Sequence, residues 1–316
     1  MTLPDPATRR KPRRLGLLAP FILLLLVMAG WTGGWFWLRG EATKRMDASL
    51  AVLNERGYRV AWDDRQIGGY PFRLDINLTG LRMSEPSGWS LTIPELKGEA
   101  YVYALKHWVT VAPRGLTFNR PDGGAAIVQA RALRASLTDL DLKPPRIAVE
   151  GVDMTFLPEA GADPYFLSAT RQMNLRLIPG PDDQGGILLY LDGANMALQG
   201  LAARATEGHT VTLDVDLTLS KVSGFAGSSW SRAAGAWSDG GGRILVRKAR
   251  ISGGDAVLQA RSGTLSIGSD GRLEGVLGAT LGDLTGSGQS LQGEVTLKDG
   301  KANLGPLVIG PSPRVF

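Results

Sequence analysis

Few residues of this chain have the chemical types that catalysis or metal binding requires. His107 and His209 are its two histidines, and they lie about a hundred residues apart without an H-E-x-x-H or H-x-H arrangement. A histidine in such a setting is usually a surface residue or a hydrogen-bonded core residue. We therefore expect neither histidine to bind a metal ion or to act as a general base.

Carboxylates that lie close together are the other candidates, because paired carboxyl groups can divide the roles of acid and base. The chain has three such pairs of interest: Asp63 and Asp64, Glu159 and Asp163, Asp214 and Asp216. The first two pairs stand beside turn or loop residues, where acidic side chains are common, and the third alternates with apolar residues of a predicted strand. We expect all three pairs to be solvated side chains without a catalytic role.

Sequence motifs add no reaction to this picture. The chain has no cysteine, so thiol nucleophiles, thiolate metal sites and disulfides are excluded. None of its glycines stands out as part of a G-x-S-x-G elbow, a Walker loop or a dinucleotide fingerprint in the strand and helix context that each requires. The sequence predicts no catalytic residues, no cofactor-binding residues and no metal site, and it favours a protein that is not an enzyme.

The longest apolar segment predicts where the chain is held. Residues 15–38 contain no charged side chain and directly follow the basic stretch 9–14. A helix of this length reaches about 36 Å, which is enough to cross a hydrocarbon core of about 30 Å. Trp31, Trp35 and Trp37 gather at its far end, where aromatic rings favour the headgroup layer. The sequence therefore predicts a transmembrane helix.

The charges around this helix predict its orientation. Lys and Arg are retained on the cytoplasmic side, so we expect a cytoplasmic N-terminus, a single pass through the inner membrane and a periplasmic body. A cleavable secretory signal is the alternative, because it also joins a charged segment to an apolar one. Both interpretations export the body of the chain.

The distribution of charge also excludes a nucleic-acid partner. Residues 1–14 hold five Lys or Arg and one Asp, and so account for +4 of the net charge of +5. The rest of the chain is nearly neutral, whereas nucleic-acid binding needs a basic surface. The basic segment is better explained as a signal for membrane topology.

Beyond residue 40 the sequence pattern changes from helical to extended. Met46, Leu50 and Leu53 recur at helical spacing ahead of Gly57, which predicts an amphipathic helical connector. Polar and apolar residues then alternate as they do in a strand with one wet face and one dry face. The alternation recurs, between turn signals, in residues 72–78, 89–93, 100–111, 173–177, 211–219, 244–251 and 263–267.

These patterns predict a mainly β protein, in which an N-terminal transmembrane helix is followed by a large antiparallel, meander-type sheet of roughly fifteen strands. We interpret residues 125–140 as strands, and the Gly-, Ser- and Ala-rich residues 223–242 as a joint with room for a short helix. The expected parts are a cytoplasmic tail at 1–14, the transmembrane helix at 15–38, the connector at 39–57, a first β-rich part at 58–222, the joint at 223–242 and a C-terminal β-meander at 243–316.

Three stretches carry a resemblance to a known family. The first is Gly68–Leu74 with Trp89–Leu91, the second runs through Gly235–Trp237, Gly240–Leu245 and Asp270–Gly275, and the third is Asp299–Leu307. Together with the N-terminal apolar run, they resemble a family of bacterial envelope proteins known as domain of unknown function 2125. These stretches are turn and strand patterns, so they indicate a family rather than an activity.

The strand pattern is also similar, more loosely, to that of AsmA-like envelope proteins, which have a membrane anchor and a long sheet folded around an apolar groove. The resemblance implies that the apolar face lines a groove for acyl chains; the same alternation also suits a closed core. We therefore expect a membrane-anchored periplasmic protein that binds or transfers lipid, with the inner membrane and acyl chains as partners. A non-catalytic structural or assembly protein of the envelope, with protein partners, is the alternative.

Overall fold

A computed structural model describes residues 15–142, 144–206, 208–282 and 290–316 of the chain. The predicted cytoplasmic tail at 1–14 lies outside the described residues. The α-helices are α1 (Leu15–Glu55), α2 (Gly200–Ala205) and α3 (Trp230–Asp239). All other regular structure, apart from one 3-10 turn at Val222–Gly224, is strand.

The predicted transmembrane helix and connector form one continuous helix. α1 ends at Glu55, and Gly57 follows with φ +86°, a left-handed conformation that glycine adopts without strain. Within residues 18–55, an 18-residue window has a mean hydropathy of 1.8, and the helix is long and apolar enough to cross a membrane. A membrane anchor and a signal sequence both have this character.

The strands form one antiparallel sheet of eighteen members, which confirms the predicted fold class. The N-terminal strands are β1 (Arg59–Ala61), β2 (Asp64–Gly68), β3 (Arg73–Ser84), β4 (Ser90–Tyr101), β5 (Trp108–Val111), β6 (Leu116–Arg120), β7 (Gly124–Gln129) and β8 (Ala132–Thr138). The others are β9 (Arg146–Pro158), β10 (Leu167–Pro179), β11 (Gly185–Met196), β12 (Val211–Leu219), β13 (Ile244–Gly253), β14 (Ala256–Ile267), β15 (Leu273–Gly282), β16 (Ser290–Lys298), β17 (Lys301–Leu304) and β18 (Leu307–Pro311).

The pairing is a meander over most of its length. From β9 to β18 every strand is hydrogen-bonded to the strand before it in the chain. Before β9, short strands share long partners: β4 pairs with β5 and β6, and β9 pairs with β7 and β8. β12 and β13 pair across the predicted joint, which contains α3, so the sheet is continuous there.

One predicted strand is wrong in part. Residues 100–111 were expected to be extended, but β4 ends at Tyr101 and β5 begins at Trp108. Between them the chain turns, with the Ala104 and His107 amides donating to the carbonyls of Tyr101 and Ala104. Tyr101 and Tyr103 supply the apolar alternation of this segment, yet both rings are exposed and stacked on each other, 5.1 Å apart. Residues 125–140, by contrast, form β7 and β8 as predicted.

Three apolar clusters lie along the sheet. We call them the N-terminal cluster (Leu78, Leu81, Ile93, Ala112), the central cluster (Val128, Met154, Phe156, Leu167, Leu191, Ala194, Val211) and the C-terminal cluster (Ala234, Trp237, Ile244, Val246, Leu265, Ile267, Leu297, Ala302). Leu116 and Leu133 pack against both the N-terminal and central clusters. The apolar face is therefore continuous between them.

The sheet also bends back on itself. The backbone amide of Trp230, at the start of α3, donates to Oε2 of Glu85 in the β3–β4 turn over 2.9 Å. Near the C-terminus, Arg314 lies 3.7 Å from the carboxylate of Asp122 in the β6–β7 turn. These contacts join segments far apart in the meander, as expected when strand twist accumulates over many strands.

Candidate functional site

The carboxylates of Asp63 and Asp64 each interact with a nearby side chain of the sheet. Asp63 forms an ion pair with Arg82, with 2.5 Å between Oδ1 and Nη2. The hydrogen bond from this guanidinium lowers the pKa of Asp63. Asp64 accepts a hydrogen bond from the Gln66 amide over 2.9 Å. Asp63 therefore lacks the raised pKa that marks a general acid.

Glu159 and Asp163 take part in a loop through their backbone atoms. The Glu159 carbonyl accepts from the Ala162 amide, and the Asp163 carbonyl accepts from Nη2 of Arg120 over 2.5 Å. This arrangement closes the β9–β10 loop against the β6–β7 turn. Within the residues that the structure describes, no three His, Asp or Glu side chains group closely enough to hold a metal ion.

The other predicted candidates are also separated. His107 lies in the β4–β5 loop, whereas the His209 imidazole lies against Gly254 at the opposite end of the strands. Asp214 and Asp216 are on the outward face of β12, where they pair with Lys248 and Arg247 on β13. The sequence-based interpretation of these two aspartates as a polar outer face agrees with these contacts.

The inner face of the sheet has a feature that the sequence did not reveal. Cross-strand registry aligns small residues on consecutive strands: Ala249 pairs with Ala260, Ala260 with Ala279, and Ala279 with Gly293. The same line continues on the other side through Val215, Leu189, Leu175 and Val149. The inner face thus has a low strip across β13–β16, which we call the alanine trough.

Bulkier residues border the alanine trough on both sides. On one side Leu213 pairs with Ile251, and Ile251 with Leu258. On the other side Leu277 pairs with Val295, and Val295 with Leu304. Two bulges interrupt the alternation near the strip, one opposite Asp216 and Leu217 and the other between Ala260 and Ser262. Each bulge inserts one extra residue and so changes which of the following residues face inward.

A cavity of about 200 Å³ opens over this strip. Among the described residues, its lining is apolar except for Gln259 and Thr280 and includes no charged side chain. By comparison, a dry apolar cavity of about 150 Å³ can hold a benzene molecule. The site can therefore take an apolar chain.

The C-terminal cluster closes one end of the cavity. Leu277 and Val295 belong to the cavity wall and also pack against this cluster. Trp237 of α3 is its largest fully buried side chain, and its Nε1 donates to the Ser220 carbonyl over 2.7 Å. The inner face is thus filled beneath α3 and open over the alanine trough.

A second feature joins α1 to the sheet. The indole of Trp35 is 5% exposed, and it is the one buried side chain among those described in α1. Its Nε1 donates to the Arg73 carbonyl over 2.8 Å, and its ring meets Tyr70 edge-on at 5.5 Å. Trp31 donates from Nε1 to the Pro71 carbonyl over 2.9 Å. We call this contact between α1 and the β2–β3 turn the aromatic clasp.

The aromatic clasp explains part of the sequence resemblance. Its sheet side is the turn within Gly68–Leu74, the first of the three stretches noted above, and its helix side is the aromatic end of the apolar run. Sequence reasoning assigned Trp31 and Trp35 to the headgroup layer and did not foresee that they hold the sheet. A turn rich in aromatic residues opposite an aromatic helix end was the available signal.

Comparison with known proteins identifies the family. The family described as "Uncharacterized protein conserved in bacteria (DUF2125)" matches residues 35–285. No curated protein and no solved structure matches the chain. The family match begins at Trp35 in the aromatic clasp and covers most of the sheet, including the strands β13–β15 that carry the three alanines of the trough. The chain therefore belongs to the DUF2125 family.

Proposed function

We propose that this protein is a membrane-anchored periplasmic protein of the cell envelope that binds, and in doing so can transfer, lipid acyl chains in the alanine trough. The observation that carries the proposal is the open apolar cavity of about 200 Å³ on the inner face of the sheet. An open apolar cavity with few polar groups is typical of a binding site.

The shape of the trough favours an unbranched chain. Ala249, Ala260 and Ala279 give a narrow floor, and the Leu and Val side chains beside them give walls. Each methylene group that moves from water into such a site contributes about 0.8 kcal/mol. Because the described residues that line the cavity are all uncharged, we expect a charged headgroup to remain outside it.

The proposed location depends on α1 and its flanking charges. The five basic residues before the apolar run favour a cytoplasmic N-terminus and a periplasmic sheet. In this topology the sheet that carries the trough is tethered to the inner membrane, which is a source of acyl chains. The looser likeness to AsmA-like proteins, in which an anchored sheet folds around an apolar groove, agrees with the same arrangement and stays a prediction.

Ligand binding by the full chain in detergent solution tests the proposal. We expect native mass spectrometry to show co-purifying lipid, and a fluorescent fatty acid to be displaced more strongly by longer unlabelled acids. One added methylene should raise affinity about fourfold, from about 0.8 kcal/mol, until the trough is full. Absence of bound lipid together with absence of fatty-acid binding would contradict the proposal.

A matched pair of variants locates the binding. Ala260→Phe places a ring in the cavity, whereas Ser262→Phe places the same ring on the exposed outer face of the same strand. We expect the first variant to lose fatty-acid binding and the second to keep it. Circular dichroism and thermal unfolding show whether each variant retains the sheet, and equal binding by two folded variants would place the ligand elsewhere.

A structural or assembly role in the envelope is the second candidate. It is favoured by the N-terminal and central clusters, where the inner face is packed as a closed core. A protein of this kind would keep stable protein partners and bind no lipid. Crosslinking in intact cells, followed by purification of the full chain, should then return a reproducible partner, whereas the lipid proposal does not require one.

A further inference from the structure

A group of exposed apolar side chains surrounds the aromatic clasp at one end of the sheet. Tyr70 and Phe72 lie in the β2–β3 turn, Tyr101 is the last residue of β4, and Tyr103 lies in the β4–β5 loop. Phe72 is 60% exposed and Tyr103 is 74% exposed. Leu140 and Leu142 of the β8–β9 loop are exposed as well. We call these six residues the interfacial patch.

The members of the interfacial patch form one surface. Arg73 pairs with Tyr101 across β3 and β4, and the Val102 amide donates to the Phe72 carbonyl over 3.0 Å. The β8–β9 loop joins them through the ion pair between Lys106 and Asp141, 2.8 Å apart. Three separate segments therefore bring apolar side chains to the same end of the strands.

The aromatic clasp fixes the height of this surface relative to α1. Trp31 and Trp35 stand at the end of the apolar run, and they are hydrogen-bonded to the turn that carries Tyr70 and Phe72. Thr32 and the Tyr70 hydroxyl are also within hydrogen-bond distance, at 2.8 Å. If α1 crosses the bilayer through its apolar run, the patch comes to the level at which that run leaves the hydrocarbon core.

We infer that the interfacial patch inserts into the headgroup layer of the bilayer. The sheet is then attached to the membrane through this patch as well as through α1. Tyr rings favour this layer because their hydroxyl groups stay wet, and the Phe and Leu side chains gain by leaving water. Among the described residues, the charges around the patch are largely paired, Arg73 with Glu99 and Lys106 with Asp141. The contact is therefore made by apolar groups, and it should depend little on salt or on anionic lipid.

The inference rests on α1 being a membrane anchor, as in the proposed function, and it adds a second membrane contact. It does not depend on the alanine trough. Because the chain contains no cysteine, single cysteines can carry an environment-sensitive fluorophore on an otherwise unlabelled protein. Three sites give the test: Tyr103→Cys in the patch, Leu25→Cys in α1, and Ala160→Cys in the β9–β10 loop at the opposite end of the strands.

The test uses the full chain in lipid nanodiscs of neutral lipid, with iodide as a quencher in water and spin-labelled lipid as a quencher in the bilayer. We expect the fluorophores at Tyr103→Cys and Leu25→Cys to be protected from iodide and quenched by the lipid label, and that at Ala160→Cys to show the reverse. The Tyr103→Cys signal should be the same at low and high salt.

Each other result overturns the inference and identifies what failed. Quenching of the Tyr103→Cys fluorophore by iodide alone, with Leu25→Cys buried in lipid, would leave the anchor in place and remove the second contact. Iodide quenching at both positions would remove the anchor and the inference together. Fatty-acid binding by the trough is measured separately, so its loss or retention does not alter either conclusion.

Discussion

Trp237 should be the most costly single side chain to remove from the C-terminal half of the sheet. It is 1% exposed, its ring stacks on Phe225 at 4.8 Å, and its Nε1 donates to the Ser220 carbonyl over 2.7 Å. It also fills the space beside Gly242, where an added Cβ would lie 2.2 Å from the indole. Trp237→Ala would leave a large void between α3 and the sheet.

The expected loss follows from these contacts. Truncation of a buried Trp or Phe to Ala costs about 3–5 kcal/mol, and the lost hydrogen bond adds about 1 kcal/mol. We therefore expect the Trp237→Ala change to lower the free energy of unfolding by about 4–6 kcal/mol, a large share of the roughly 5–15 kcal/mol that a native protein has. Trp237→Phe keeps most of the buried ring and should cost only about 1–2 kcal/mol.

The assay is urea and thermal unfolding of the full chain in detergent, monitored through the circular dichroism signal of the strands. The matched control is Trp230→Ala on the same helix, because that side chain is 43% exposed and should cost about 1 kcal/mol or less. An unchanged midpoint for Trp237→Ala, or an equal loss for Trp230→Ala, would refute the role given to Trp237. Because the C-terminal cluster walls the alanine trough, fatty-acid binding should weaken along with stability.

Three further predictions follow from other contacts. The Arg82 guanidinium lowers the pKa of Asp63 in the folded state, so the ion pair stabilises the fold fully at pH values above the ordinary carboxyl pKa. This stabilisation is lost as the pH falls through the pKa that Asp63 has in the folded state. The urea midpoints of Asp63→Asn and the wild type should therefore differ at pH 7 and converge in acid. Gly115→Ala should lower the free energy of unfolding, measured by urea titration, by more than about 1 kcal/mol, since φ is +68° and the added Cβ would lie 2.1 Å from a carbonyl oxygen on β7; wild-type stability would contradict that geometry. Trp35→Ala should expose the β2–β3 turn to protease while Trp37→Ala, which removes a 69% exposed ring, should not; equal cleavage of both variants would argue against the aromatic clasp.

The sequence predicted the elements of the fold well because local patterns decide them. The helical spacing up to Gly57 and the alternation in β12 and β13 each reflect one element and its two faces. The same reasoning failed at residues 100–111, where the alternation includes Tyr103, whose ring is exposed in a loop. Alternation records apolar type and not burial, so an exposed aromatic loop has the same pattern as a strand.

The alanine trough could not be predicted, because it depends on registry between strands. Ala249, Ala260 and Ala279 are ordinary inward positions of their own strands, and only pairing brings them into one line. That line also needs the bulge between Ala260 and Ser262, which no local pattern indicates. The same alternation suits a filled core and an open groove, so the difference first becomes visible in three dimensions.

From β9 to β18 each strand pairs with its neighbours in sequence, and this affects both how the sheet folds and how its length can change. Each of these strands needs only the preceding strand as its template, so we expect the sheet to extend hairpin by hairpin, in the manner of a repeat protein. Hydrogen exchange during refolding should then show protection spreading from one strand to the next, rather than appearing everywhere at once. The apolar inner face could lengthen or shorten by one hairpin at a time, so its capacity would be set by strand number while the attachment at α1 stayed the same.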